Sequence, residues 1–484
     1  MTTRSSIPRN TLYHSASAAT SLLLFVLVII AARSLGPEDF GIFSFALAFV
    51  FLFDFVLDPG LYHLLIREIA RQPHATRQYV LHGMAWKMIA APVAFFLIWA
   101  VVNLLHDAER IHTVVYLIAL ASFLKSAKDV YRATLLAHER FGLEALSTSV
   151  ERGGLLAFGA LVLLFDKGLI ALCVVFVIVR ALDLAVAHLL VRRIVGHHSV
   201  EFRWDFLRGL LRSGFAIGAF YVMLNVYSYI DMVMISALRN AEEVGWYSAA
   251  YKLYEGLLTI PVVVSMVLFP RLANLYVHDY ARFSTLALQG WKYVLLLGFA
   301  ALVVGVPLVA PGIELLYGEG YDPSAIALTV LLASAPFLFI ANFLQTLMIT
   351  MDRQAILLKV AVAGLSLNVI FNLLAIPRYG YVGAAVVTVV VEALVSVTLY
   401  FWSLERFRAP PAVRMLMKLA ACTAVAAFIG WGVAADAAHL VRAGIAGITF
   451  LLSLRLSGLI TGHDLRDLIS SLRNGRVLSQ DEPS

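Results

Sequence analysis

Charge is scarce in this chain. Only 14% of its 484 residues are Asp, Glu, Lys or Arg, and 61% are hydrophobic. Soluble domains carry about 25% charged residues. A soluble globule of this composition would expose too much apolar surface, whereas a polytopic membrane protein has lipid as its solvent. The positive mean hydropathy, +0.86, agrees. Cysteine is scarce too. Cys173 and Cys422 both fall inside apolar runs, which argues against a disulfide framework or a thiolate metal site. The sequence has no Walker-A loop, no His/Cys cluster at ligand spacing and no nucleophile elbow. Nucleotide-driven transport is therefore not expected, nor any cofactor. Every outside loop is short, whereas a membrane glycosyltransferase or polymerase would place catalytic residues in a large one. The chain is accordingly read as a non-enzyme. The net charge of +6 lies in short loops between apolar runs, so it reads as orientation in a membrane rather than nucleic-acid binding.

What is present is a series of membrane-length apolar runs. A span needs about 20 largely apolar residues. Fourteen such runs are centred near Phe25, Phe53, Phe95, Ala121, Phe158, Val179, Asn225, Ile260, Leu297, Ala335, Leu367, Val390, Ala426 and Phe450. The first lacks a small-residue cleavage site and a second follows at once, so it reads as a membrane helix and not a signal peptide. One set of connections carries clustered basic residues: Arg67, Arg71 and Arg77; Arg140; Arg192 and Arg193; Arg271 and Arg282; Arg353; Arg406, Arg408 and Arg414. The opposite set carries about one each, as Arg33, Arg110, Lys167, Arg239 and Arg378, and none beside Glu314, Glu319 and Asp322. The positive-inside rule then puts both termini of a multi-pass membrane protein in the cytoplasm.

The chain also resembles itself. F-G-I-F-S-F-A at 40–46 echoes V-G-W-Y-S-A-A at 244–250, A-H-E-R-F at 137–141 echoes T-M-D-R-Q at 350–354, and D-K-G-L-I-A at 166–171 echoes R-Y-G-Y-V-G at 378–383. Offsets of roughly 205–213 residues span six helices, which keeps the membrane orientation. Parallel repeats of this kind place a substrate site between two halves. The expected fold is all-α, with about fourteen transmembrane helices in two six-helix lobes plus two C-terminal helices. The divisions are 1–195 for the first lobe, 196–212 for an amphipathic cytoplasmic linker, 213–404 for the second lobe, 405–461 for the last two helices and 462–484 for a cytoplasmic tail. In the linker, Trp204, Leu207 and Leu211 share one helical face, as an interfacial helix requires.

R-S-L-G-P-E-D-F-G-I-F-S-F-A-L-A-F from Arg33, then L-D-P-G-L and R-E-I-A-R, resemble the opening of bacterial polysaccharide exporters, the O-antigen-type (Wzx-like) flippases of the multidrug/oligosaccharidyl-lipid/polysaccharide superfamily. Y-R-A-T-L-L-A-H-E-R-F at 131–141 is similar to the end of that family's fourth helix. Pro59 departs from the family's usual pattern. The resemblance covers the first twelve helices. It implies two lobes around a cavity of alternating access, and an undecaprenyl-pyrophosphate-linked oligosaccharide as substrate, energised by an ion gradient or the membrane potential. The implied partners are that lipid-linked oligosaccharide and membrane lipid, with a polysaccharide polymerase and chain-length proteins as further candidates. An ion-coupled multidrug exporter and a flippase for the peptidoglycan lipid precursor remain alternatives.

Ionisable side chains in membrane helices are costly and face a cavity or a partner. The fourth run carries Ser122, Lys125, Asp129 and Arg132 along one side, with Lys128 beside them; the sixth carries Arg180 and Asp183. Lys125, Lys128, Arg132 and Arg180 form either a cationic strip for the pyrophosphate or an ion network that satisfies itself. Asp54 and Asp58, one turn apart before Pro59-Gly60, suit a proton or cation site in a broken helix, or pairing with a neighbouring base. Tyr221, Asn225 and Asp231, then Ser248, Tyr251, Lys252 and Glu255, form polar stripes that line a sugar path or glue helices together. Substrate candidates are thus Lys125, Lys128, Arg132, Arg180, Tyr221, Asn225, Tyr251 and Lys252. Ion-coupling candidates are Asp54, Asp58, Asp129, Asp183, Asp231, Glu255 and Glu392, the last with Lys359 as a possible partner.

Overall fold

A computed structural model describes residues 20–195, 201–404, 412–433 and 438–460, which are helical, with no strand among them. Helix is the answer lipid imposes, because each backbone N–H and C=O must find its partner within the segment. In chain order the helices are α1 (Ser21–Leu52), α2 (Asp54–Leu57), α3 (Leu61–Arg71), α4 (Thr76–Leu105), α5 (Glu109–Ala137), α6 (Phe141–Leu164), α7 (Gly168–Val195), α8 (Trp204–Leu238), α9 (Ala241–Leu257), α10 (Thr259–His278), α11 (Tyr280–Tyr317), α12 (Asp322–Ala333), α13 (Ala335–Thr350), α14 (Gln354–Leu404), α15 (Ala412–Ala427) and α16 (His439–Leu456). A π-helical segment, Phe428–Val433, follows α15.

Nine of the described helices are long and apolar enough to cross a membrane, or eleven if two bent pairs each count as one span. That differs from fourteen for identifiable reasons. The expected first and second spans run together in α1, where Gly36 at φ +74° precedes Pro37. The expected eleventh and twelfth run together in α14, broken only at Gly380. The expected seventh, α8, is not among the nine.

Two of the sequence echoes return as the same turn. Glu139 and Asp352 both adopt left-handed backbone, φ +54° and +57°, and the next residue, Arg140 or Arg353, donates its N–H to a carbonyl five residues back. Gly168 and Gly380 are likewise both left-handed.

The chain forms two compact units. One holds residues 1–252, 314–327 and 361–387, the other 253–313, 328–360 and 388–484. In the first, Leu61, Leu64, Leu65 and Ile69 of α3 pack on Val130 and Ala133 of α5 and Leu210 of α8. In the second, Phe283, Trp291, Phe339, Phe343 and Phe450 anchor the core, and Gly290 and Gly298 let α11 approach α13 at Phe343 and Pro336. The longer helices keep an apolar outer face for lipid. On α4, Ala90 and Ala94 are buried while Met88, Phe96 and Trp99 are exposed.

The linker differs from expectation. Residues 196–200 lie outside the described residues, and from Trp204 the chain is already the start of α8. Leu207 and Leu210 are buried, whereas Trp204 is exposed, so the seated face is rotated away from Trp204. His82 of α4 holds this end. Its Nδ1–H donates to the Gln78 carbonyl, its Nε2 accepts the Arg203 N–H at 2.9 Å, and its ring stacks on Phe202. The tail from 461 lies outside the described residues.

Candidate substrate and ion site

A cavity of about 240 Å³ opens in the first unit. Asp54 and Phe55 of α2, Asp58 and Gly60 at its end, Tyr62 and His63 of α3, Lys125, Ser126, Asp129 and Arg132 of α5, and Gly218 and Asn225 of α8 line it. The break after α2 explains why polar groups collect here. Asp58-Pro59-Gly60 cannot continue a helix, and Gly60 turns left-handed at φ +85°. Backbone freed by such a break is tolerated at membrane depth only where protein or a wet cavity meets it.

The charges are paired one by one. The Ser122 hydroxyl donates to Asp54 Oδ1 at 2.7 Å. Lys87 Nζ donates to Asp58 Oδ2 at 2.8 Å and to Ser126 Oγ at 2.9 Å. Lys125 meets Asp129 at 3.3 Å, and Arg132 meets Glu144 at 2.8 Å. Behind the cavity Lys128 sits among Glu151 at 2.7 Å, Asp183 at 3.2 Å and Asp129 at 3.9 Å. Arg180 reaches Glu151 at 3.5 Å and lies over the Phe176 ring, while Asp183 accepts from Ser147.

The structure therefore divides the expected strip. Lys125 and Arg132 line the cavity with Asp54, Asp58, Asp129 and Asn225; Lys128, Arg180 and Asp183 belong to an ion network beside it. The second set of candidates lies elsewhere in the fold. Asp231 accepts from the Tyr247 hydroxyl at 2.9 Å and from Asn372 Nδ2 at 2.8 Å, and Asn372 also donates to Asn368. Asn372 Oδ1 is buried with no hydrogen-bond partner. Tyr251 is buried and stacks on Tyr247, and Lys252 lies over the Tyr229 ring. None of Tyr251, Lys252 and Glu255 lines the cavity. Glu392 is buried, whereas Lys359 is exposed. The side chain of Tyr221 lies outside the described residues.

Sequence reasoning passed over Lys87, Glu144, Tyr62 and His63. Lys87 was visible as one cation in the apolar stretch of α4. The others sit near helix ends, where a polar residue draws no notice.

Residues 7–276 match the family described as polysaccharide biosynthesis protein. The chain belongs to that family. It is 24% identical to an O-antigen transporter of Shigella flexneri over 384 residues, 76% of this chain and 91% of that one. It is 26% identical to a capsular polysaccharide biosynthesis protein of Staphylococcus aureus over 144 residues, 30% of this chain and 36% of that one. Two solved structures share its fold. The lipid II flippase MurJ in an inward closed conformation has a TM-score of 0.75 at 14% identity, over 95% of this chain and 100% of that one. An inward-facing multidrug resistance transporter of the MATE family has 0.66 at 14% identity, over 82% and 98%. The chain is thus an all-helical member of the polysaccharide biosynthesis protein family with the fold seen in MurJ and MATE transporters.

Proposed function

We propose that this family member moves an undecaprenyl-pyrophosphate-linked oligosaccharide across the cytoplasmic membrane by alternating access, driven by an ion gradient or the membrane potential. The observation that carries the reading is the cavity: a charged chamber in a protein otherwise built for lipid, with Lys125 and Arg132 to meet phosphate and Asn225 to meet sugar hydroxyls. The Shigella relative is an O-antigen transporter, which supports this substrate class.

Two close backbone contacts support alternating access. At one end of the helices, Gly41 faces the Ala241 carbonyl and Gly245 faces the Pro37 carbonyl, so tightly that a Cβ on either glycine would overlap. Toward the other end, Gly218 and Gly214 lie against Pro59 and Gly60 with the same lack of room. Contacts in which a glycine on one helix meets backbone on the other interlock no side chain, so they suit the two gates of a transporter, which must part and re-form. Asp54, whose hydrogen-bond partner is the Ser122 hydroxyl rather than a base, is the coupling group we favour in the cavity. Asp231 is its counterpart among Tyr247 and Asn372.

A specific observation favours a second reading. Three carboxylates line the cavity beside Lys125, Arg132 and His63, a balance that also suits an organic cation, as in a multidrug exporter. One variant separates the two. Lys125 is partly exposed, and its partner Asp129 keeps Lys128 within 3.9 Å, so Lys125→Gln should leave membrane levels normal. Losing a charge-assisted contact worth about 1.5–3 kcal/mol should cut surface polysaccharide by about tenfold or more. Full export with raised drug resistance would instead favour the second reading.

A further inference from the structure

Lys87 has no part in the function argued so far, yet it is a completely buried cation, 0% exposed, in a helix whose outer face is for lipid. Burying an ammonium is costly, and it persists only where partners compensate. Its partners are Ser126 Oγ and Asp58 Oδ2. Lys87 does not line the cavity, but Asp58 does.

Asp58 stands at the helix break and brackets it. Its backbone carbonyl accepts the Gly60 N–H at 2.7 Å. Its Oδ1 accepts the Tyr62 N–H at 3.2 Å, in the first turn of α3. Its Oδ2 is held by Lys87. The residues inside this bracket, Pro59 and Gly60, are the ones that touch Gly214 and Gly218 of α8. One carboxylate therefore joins three things: the cavity, a buried ammonium and the backbone contact with α8.

We propose that Lys87 is a positioning residue that ties the Pro59-Gly60 contact with α8 to the charge on Asp58, so that whatever engages Asp58 in the cavity is felt at that contact. The inference rests on the alternating-access reading and names the element by which occupancy would reach one gate. A proton or cation arriving at Asp58 competes with the Lys87 ammonium for the same oxygen. Once the ammonium is released, the break loses its fixed geometry, and close glycine packing does not tolerate a displaced backbone. The charged and titratable groups that share the cavity with Asp58 are Asp54 on α2, Tyr62 and His63 on α3, and Lys125, Asp129 and Arg132 on α5, with Lys87 behind it on α4. The polar face of α8 there is Asn225.

The test reads the contact directly and needs no substrate. Asn225→Cys is made after replacing Cys173 and Cys422, and a membrane-impermeant thiol reagent is applied to the cytoplasmic face of inverted vesicles. Labelling rate is expressed per molecule of inserted protein. Lys87→Met, Asp58→Asn and the double variant should each label about tenfold faster than the parent, a shift of about 1.4 kcal/mol in the opening equilibrium. The double variant should be no faster than either single, because one bond is lost in all three. It also leaves no uncompensated buried charge, so it is the form that keeps the measurement possible if a single variant fails to insert. Labelling from the outer face should not rise. A double variant that labels at the parent's rate, or at the product of the two singles' effects, overturns the proposal; Lys87 is then a structural staple. Because no lipid-linked sugar is present, failure of the transport reading shows in transport assays and not here.

Discussion

Lys128 shows how a residue can be legible while its role is not. A lysine in an apolar helix announces itself in any reading of the sequence, and so do Glu151 and Asp183. That they meet, at 2.7 and 3.2 Å with only 3% of the lysine side chain exposed, depends on three helices packing together. The pairing predicts an outcome unlike that of Lys125. Lys128→Met strands the buried Asp183, while Glu151 keeps Arg180 at 3.5 Å, a change that costs about 3–5 kcal/mol where one partner of a buried pair is removed. It should lower the amount of protein in the membrane, and Asp183→Asn introduced beside it should restore a large part of that amount. Quantifying membrane-inserted protein for the two variants checks this. Lys128→Met at full abundance with export lost would return Lys128 to the substrate path. Lys87 went unnoticed for the opposite reason: a single cation between Trp86 and Met88 reads as an accident of composition until Asp58 is found beside it.

At the scale of elements the repeat carried real structural information. The echo of F-G-I-F-S-F-A in V-G-W-Y-S-A-A pairs Gly41 with Gly245, and the structure sets Gly41 against Ala241 at the start of α9 and Gly245 against Pro37 at the break in α1. The sequence supplied the pair but not the contact, since nothing in a repeat says that its two copies touch. The echoes at Glu139 and Asp352 and at Gly168 and Gly380 proved to be shared left-handed turns. In the linker Leu207 and Leu210 take the packing, while Trp204 is exposed at the start of α8. The outer glycine contact predicts a directional phenotype. Gly41→Ala or Gly245→Ala leaves each helix intact but puts a methyl group where a carbonyl already lies. Cysteine at Ser248, one turn below Gly245 and buried, should then label about tenfold faster from outside than in the parent, which corresponds to about 1.4 kcal/mol against the closed contact. Unchanged outside labelling in both alanine variants would remove the outer contact from the mechanism.

For the whole molecule, composition alone excluded a soluble fold, and the opening motifs carried the family. The number of spans was harder to read, because Gly36 and Gly380 break helices sharply without ending them. The substrate is the least legible feature, since a sugar leaves no motif and the charges that would hold its phosphates are the same ones that pair with each other. The account turns on whether the protein carries a lipid-linked sugar between leaflets. The decisive measurement uses proteoliposomes holding the purified full chain and a fluorescent undecaprenyl-pyrophosphate oligosaccharide on one leaflet, with a membrane-impermeant glycosidase reporting the sugar that reaches the other. With a proton gradient or membrane potential imposed, the parent should expose the sugar to the enzyme well above protein-free vesicles, and Lys125→Gln should not. Sugar that stays on its original leaflet at the protein-free rate, in vesicles shown to contain inserted protein and a standing gradient, would contradict the account.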